Sequence, residues 1–286
     1  MTKELSLLAV FAHPDDESLG IGGTLARYAA EGVRVSLICA TRGEEGEIND
    51  PSLGTKEQLA EIRERELRCA CDVLGITELH FLGYRDSGMA GTPANDDPCS
   101  LVQADPYEVV GKIVRLMRQI RPQVVVTFEK GGGYGHPDHK AIHRHTKAAF
   151  YAAGDPTQYP EHLAEGLEPH APQKLYYTAI PRSVFQKLVQ KVREMGLEPP
   201  FFRDIDLESV GMPDEYCTTH VDVSTYLEVK EQARQCHRSQ LAPDNLFTLI
   251  PMEVRRQFMH TECFACEGMM LDEGECPADD LFEGLR

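Results

Sequence analysis

The sequence predicts an α/β fold: a Rossmann-like, mostly parallel sheet with helices on both faces, followed by a C-terminal accessory lobe. Two observations carry this prediction. Short, almost wholly apolar runs alternate with longer amphipathic segments, as strands buried on both faces alternate with crossover helices. Polar clusters stand just after those runs, where open parallel sheets place their ligand sites. The 286 residues suffice for one large core. We assign 1–180 to the main α/β unit and 181–286 to a segment that completes the sheet and walls the site, within one continuous domain.

Taken in order, Leu5–Ala12 is apolar on both faces and reads as the first strand. A helix follows over Ser18–Gly32, with Leu19, Ile21, Leu25, Ala26 and Ala29 at helical spacing and Gly32 as its C-terminal stop. Val33–Ala40 is a second buried strand, which closes a βαβ unit. The run Gly20-Ile21-Gly22-Gly23 lies inside the helix and not in the preceding turn, which argues against a dinucleotide-binding module. Thr41–Gly54 is an acidic loop containing Glu47, either solvated or in contact with a polar substrate. Thr55–Gly75 is helical, and most of its Arg and Glu residues read as solvated ion pairs. Leu79–Leu82 is a third, short strand, and Gly83–Ala104 a long polar loop carrying Asp86. Asp105 and Pro106 have the chemistry of a helix start, and that helix runs to Arg121. Val124–Phe128 is the fourth strand. A glycine-rich turn leads into a helix over Pro137–Ala153. Beyond it we expect a surface loop over Gly154–Pro172, a strand over Lys174–Ile180 and a helix over Ser183–Met195. The expectation continues with an irregular stretch over Glu198–Glu215, a strand over Cys217–Val223, a helix over Ser224–Gln240, and short elements with an acidic tail.

Composition excludes several functions. Net charge is −17 with no basic stripe, which argues against nucleic acid or an anionic membrane surface as partner. No apolar run approaches 18 residues, and the N-terminal apolar run is too short for a secretory signal. Nine cysteines, an odd number at irregular spacing, do not form a disulfide framework, so we expect reduced thiols in a cytoplasmic protein. Cys39, Cys69 and Cys71 read as small hydrophobes.

The chemistry centres on Ala12-His13-Pro14-Asp15-Asp16-Glu17. One imidazole and three carboxylates so close together cost repulsion and desolvation unless a cation compensates. His13 and Asp16, three apart, can be aimed at one ion by a turn. Asp15 then points elsewhere and is free for proton transfer, and Glu17 is left as a first-turn helix charge. A second cluster, Gly131-Gly132-Gly133-Tyr134-Gly135-His136-Pro137-Asp138-His139, follows the fourth strand. With His139 as third ligand, two His and one carboxylate leave open positions on the ion, Zn2+ by default and Fe2+ with the same donors. Bound water then has a pKa of roughly 7. His136 can donate to an oxyanion, and together these parts suit amide hydrolysis. His143, one turn after His139, reads as a packed or supporting histidine. His260-x-x-Cys263-x-x-Cys266 with Cys276 has knuckle-like spacing and is a candidate second, structural Zn2+ site.

The first cluster, Gly-Glu-Glu-Gly-Glu at 43–47, Arg-Asp-Ser-Gly-Met-Ala-Gly-Thr at 85–92 and Gly-Gly-Tyr-Gly-His-Pro-Asp-His at 132–139 together resemble the LmbE-like / PIG-L family of zinc-dependent N-acetylglucosaminide deacetylases. The resemblance covers 6–153 and is weak over the last hundred residues, apart from Lys230–Gln240. It implies that His13, Asp16 and His139 bind the metal and that Asp15 is the general base. It further implies that His136 stabilises the oxyanion, that Asp138 orients His136, and that Tyr134 assists at the tetrahedral intermediate. Arg63, Glu47 and Asp86 would contact the sugar. The implied substrate is a small-molecule amino sugar of the GlcNAc-inositol or GlcNAc-malate type. The alternative is an amidase of the same chemistry acting on thiol S-conjugates or another amide. Relatives in the family form oligomers, which implies a homo-oligomer here. His237 and Gln240, in a segment that also resembles the family, read as structural.

Overall fold

Strand β1 (Ser6–Phe11) lies fully buried inside the sheet, as its unbroken apolar sequence requires. Its neighbours are β2 (Arg34–Cys39) on one side and β4 (Val124–Thr127) on the other, both parallel to it, with Leu7 opposite Val35 and Val124. The full order is β3-β2-β1-β4-β5-β7-β6, where β3 is Glu78–Phe81, β5 Lys174–Ala179, β6 Thr219–Asp222 and β7 Thr261–Cys266. The computed structural model describes residues 4–197, 206–207, 210–242 and 246–286.

Pleating sends alternate residues of β1 to opposite layers. Leu7, Ala9 and Phe11 join a core with helices α1 (Asp16–Ala30), α2 (Leu59–Leu74) and α7 (Leu227–Cys236), and with Leu281 and Phe282 near the C-terminus. Leu8, Val10 and Ala12 join the opposite core, with α3 (Pro106–Ile120) and α4 (Pro137–Ala152). The order reverses between β1 and β4: strands 1 to 3 progress outward one way and strand 4 lies on the other flank. In doubly wound sheets the crevice at such a reversal is the ligand site.

The expected strands and helices of the first half are present within a few residues of their expected ends. Lys56–Gln58 forms a separate 3-10 turn ahead of α2, with Thr55 as its N-cap. The expected loop after α4 contains a short helix, α5 (Pro160–Ala164), and the buried Arg118 holds this loop by donating to the carbonyls of Ala153, Asp155, Gln158 and Tyr159. The irregular stretch expected over 198–215 lies largely outside the described residues. Helix α6 (Arg182–Glu194) packs with α9 (Met252–Phe258) in a small third core, and α8 (Leu246–Leu249) precedes α9. The helix expected over Ser224–Gln240 is shorter, with α7 flanked by two 3-10 turns.

Strand β7 was not foreseen. It pairs antiparallel to both β5 and β6, and so joins the two halves of the chain in one sheet. It also supplies Glu262 to α1, which departs from helical geometry at Ile21. The carboxylate accepts from the backbone N–H of Gly23 (3.1 Å) and Thr24 (2.7 Å), and Lys230 neutralises it at 2.6 Å. A glycine is required at 23, because a Cβ there would lie 2.7 Å from the Cβ of Val223.

Two sequence-based expectations about cysteine are corrected. Cys69 on α2 and Cys236 at the end of α7 form a disulfide across 167 residues, so Cys69 is not a packed hydrophobe and the thiols are not all free. The two cysteines meet only because the C-terminal half folds back on α2, which spacing alone does not reveal. Cys263 and Cys266 lie on β7 three residues apart, an odd separation that sends them to opposite faces. Cys263 is buried while His260 and Cys276 are exposed, and these four residues form no group of converging donor atoms, so the second zinc site is not assembled.

Thiol titration in denaturant is expected to count seven free cysteines before reduction and nine after it. Cys69→Ser is expected to lower the unfolding free energy, measured in urea, by about 2–4 kcal/mol.

Candidate metal centre

The site lies where β1 and β4 end side by side. After β1 the chain turns at His13, whose backbone N–H donates to Asp16 Oδ2 at 2.7 Å, so Asp16 secures the turn that carries both residues. After β4, Gly132, Gly133 and Gly135 adopt positive φ and lead into α4. Glycine is needed at 132 for its φ of +71° and because a Cβ would meet that of His139 at 3.0 Å. His136 precedes α4, and its Nδ1 accepts the backbone N–H of Asp138 at 3.2 Å.

Three donor groups converge. His13 Nδ1 lies 3.2 Å from His139 Nε2, Asp16 Oδ2 lies 3.7 Å from His13 Nδ1, and Asp16 Oδ1 lies 3.4 Å from His139 Nε2. Donors at about 2.0–2.1 Å from a tetrahedral zinc are roughly 3.3–3.4 Å apart, so the spacing fits an ion. The outer nitrogens agree. His13 Nε2 faces Asp138 Oδ2 (3.2 Å) and Asp86 Oδ1 (3.4 Å), and His139 Nδ1 faces the carbonyl of Gly132 (3.2 Å). These acceptors place the ring protons outside and turn both lone pairs inward. Burial disfavours charge on His13, but Asp138 and Asp86 outweigh it and raise its pKa well above the ordinary range. Burial raises Asp16 while His139 and His13 more than offset this and hold it at about 2. The donor set therefore calls for a positive charge at its centre, either a proton or a metal ion that takes the proton's place. His139 is fixed from its faces, stacked on Phe128 at 3.9 Å and edge-on to Tyr134 at 5.2 Å. His136 also brings a ring nitrogen within 4.8 Å of those of His13 and His139.

Asp15 has φ +113°, a conformation that costs a non-glycine residue of order 1–3 kcal/mol. Its carboxylate meets Arg63 Nη2 at 3.2 Å. Burial raises its pKa to about 6, opposed by Arg63 and reinforced by Asp16. Burial lowers the pKa of His136 to about 4, helped by His13 and His139, so that ring is neutral at pH 7. With Nδ1 accepting from backbone, its proton is on Nε2.

Other residues differ from their sequence-based roles. Asp138 orients His13 with its carboxylate, which also accepts the N–H of Ser87 at 2.9 Å, and it reaches His136 only through its backbone N–H. Arg63 is 4% exposed, and its guanidinium donates to the carbonyls of Gly43 (2.9 Å) and Pro14 (2.5 Å) and to Asp15. Asp86 is 3% exposed and accepts from the N–H of Gly88 and Glu45, so it too is enclosed. Glu47 is exposed, with its backbone carbonyl bound by Gln240. Tyr134 is exposed at the mouth, against His136 and His139. His143 donates its Nδ1–H to the Phe128 carbonyl (2.8 Å), away from the donor set. Glu17 is not a surface charge: it is 1% exposed and paired with His237 at 2.8 Å. Burial would raise its pKa, but His237 outweighs this and lowers it. For Arg63 the sequence did hold a signal, because position 63 lies on the same helical stripe as Leu59, Ile62, Leu67 and Ala70. For the Glu17–His237 pair, 220 residues apart, it held none.

We expect the purified protein to bind one equivalent of divalent metal, read by Co2+ absorption and metal analysis. Asp16→Ala and His139→Ala are expected to abolish binding, and His136→Ala to retain it.

Comparison with known proteins agrees with this geometry. The family model for PIG-L, GlcNAc-PI de-N-acetylase, matches residues 8–150. A 1D-myo-inositol 2-acetamido-2-deoxy-alpha-D-glucopyranoside deacetylase of Geodermatophilus obscurus is 39% identical over 296 residues, covering 100% of this chain and 99% of its own. The protein of the same name from Thermobifida fusca is 42% identical over 248 residues, covering 82% and 83%. Among solved structures, the N,N'-diacetylchitobiose deacetylase of Pyrococcus horikoshii shares the fold with a TM-score of 0.65 at 21% identity, covering 92% of this chain and 84% of its own. The chain, with its His-Asp-His donor set at the β1/β4 crevice, belongs to the PIG-L family of de-N-acetylases.

Proposed function

We propose that the protein removes the N-acetyl group from a GlcNAc-inositol-type amino sugar, a step in the assembly of a thiol cofactor, in the cytoplasm. The observation that carries the chemistry is the convergence of His13 Nδ1, His139 Nε2 and the Asp16 carboxylate beside Asp15. The substrate class is supported by full-length similarity to deacetylases named for that sugar. The net charge of −17 disfavours a polyanionic partner.

His13, Asp16 and His139 would hold Zn2+, or Fe2+ with the same donors, which when bound supplies Lewis-acid charge and makes water acidic near neutrality. Asp15 accepts the proton of the attacking water and later delivers it to the departing amine. Its pKa, raised to about 6 by burial, suits both duties. His136 donates its Nε2–H to the acetyl oxygen as charge develops there. Tyr134 offers a phenol to the same intermediate from the mouth. Asp138 and Asp86 keep His13 in its ligating tautomer. Glu47, Asp86 and Arg63 are the candidates for sugar hydroxyls, with the exposed Glu47 the most accessible of the three.

Acetate release from GlcNAc-inositol is the test. Chelation and Asp15→Ala are each expected to reduce it at least about 10³-fold, and His136→Ala by about 10²–10³-fold. Arg63→Met removes the cation that opposes burial and Asp16, so the Asp15 pKa rises. The acid limb of kcat/KM is then expected to move to higher pH. A metal-loaded protein silent on every GlcNAc conjugate overturns the reading. Strong preference for thiol S-conjugates redirects it to the amidase.

A further inference from the structure

We infer that Glu17 and His237 are positioning residues that hold Asp15 in its working conformation; this rests on the reading of Asp15 as the base. Asp15 occupies the cap position of α1. An aspartate there ordinarily folds its carboxylate over the helix start and accepts the N–H of the second or third helical residue, here Glu17 or Ser18. Asp15 does not do so. It accepts no capping hydrogen bond, its φ is +113°, and its carboxylate is turned out to Arg63.

The competing, self-capped state is prevented from behind. The backbone N–H of Asp15 donates to Glu17 Oε2 at 3.0 Å. Glu17 Oε1 accepts from Ser18 Oγ at 2.5 Å and from His237 Nε2 at 2.8 Å. Glu17 and His237 are each 1% exposed, so neither has water as an alternative partner. His237 arrives at the end of α7, in a segment tied down on both sides: Cys236 is linked to Cys69, and the N–H and Oγ of Ser239 donate to Glu66 at 2.7 and 2.6 Å. Cys69, Glu66 and Arg63 all belong to α2. One helix thus grips the Asp15 side chain directly and fixes the histidine that anchors its backbone through Glu17. Without the histidine, Glu17 is a buried carboxylate lacking its main donor, and its grip on the Asp15 N–H is lost with it.

The test combines kinetics on GlcNAc-inositol with bound-metal content, thermal midpoint and a crystal structure of each variant. His237→Ala is expected to lower kcat by about 10–100-fold, the scale for misplacing a catalytic group by about 1 Å. KM and the single metal equivalent should be unchanged, and Asp15 should relax to a negative φ with its carboxylate on the helix N–H groups. His237→Gln, whose amide can still donate to Glu17, should recover most of the activity and the positive φ. Should His237→Ala not fold, Glu17→Gln keeps the volume but loses one acceptor oxygen, and the same fall in kcat at constant KM is expected. Wild-type kcat in these variants, or a loss explained wholly by missing metal with Asp15 unmoved, overturns the inference. The Asp15 conformation is read without substrate, so an inactive wild-type protein would instead overturn the substrate assignment.

Discussion

Two imidazole lone pairs and a carboxylate meet within 3.2–3.7 Å at the end of two adjacent strands, and this arrangement is tolerable only around a positive charge. Much of the nearby structure serves to impose it. The parallel pairing of β1 and β4 brings two turns, 126 residues apart in sequence, to one point. Asp138, Asp86 and the Gly132 carbonyl take the outward protons, which forbids the tautomers that would relieve the crowding. Phe128 and Tyr134 prevent His139 from rotating away. The site is thereby organised before any ligand arrives.

Asp15 shows how neighbouring carboxylates acquire different duties. Asp16, two imidazoles against it, is held at about 2 and remains a constant anion suited to ligation. Asp15, raised by burial against the opposing charge of Arg63, sits at about 6, where it can both take and return a proton. Arg63 and Asp86, expected from the sequence to contact a sugar, are enclosed against Asp15 and His13 and bear on the charge and orientation of those two groups.

The C-terminal part of the chain is not a passive wall. Strand β7 brings Glu262 to the irregular turn of α1, and α7 delivers His237 to Glu17, so both the middle and the start of α1 depend on residues more than 200 positions away. The disulfide between α2 and α7 secures the same junction.

By itself the sequence determined the alternation of strands and helices over residues 5–153 and pointed to His13, Asp16 and His139 as residues that two strand ends bring together. These are legible because they depend on local periodicity and on short spacings within single turns. Tertiary structure alone decided which acidic and basic groups are buried, and hence their roles. It paired Glu17 with His237, gave Asp138 to His13, enclosed Arg63 behind Asp15, joined Cys69 to Cys236, and sent Cys263 and Cys266 to opposite faces of an unforeseen strand. The physical reason is the same each time: a charge or thiol takes its function from partners brought by distant segments, and local sequence carries no record of them.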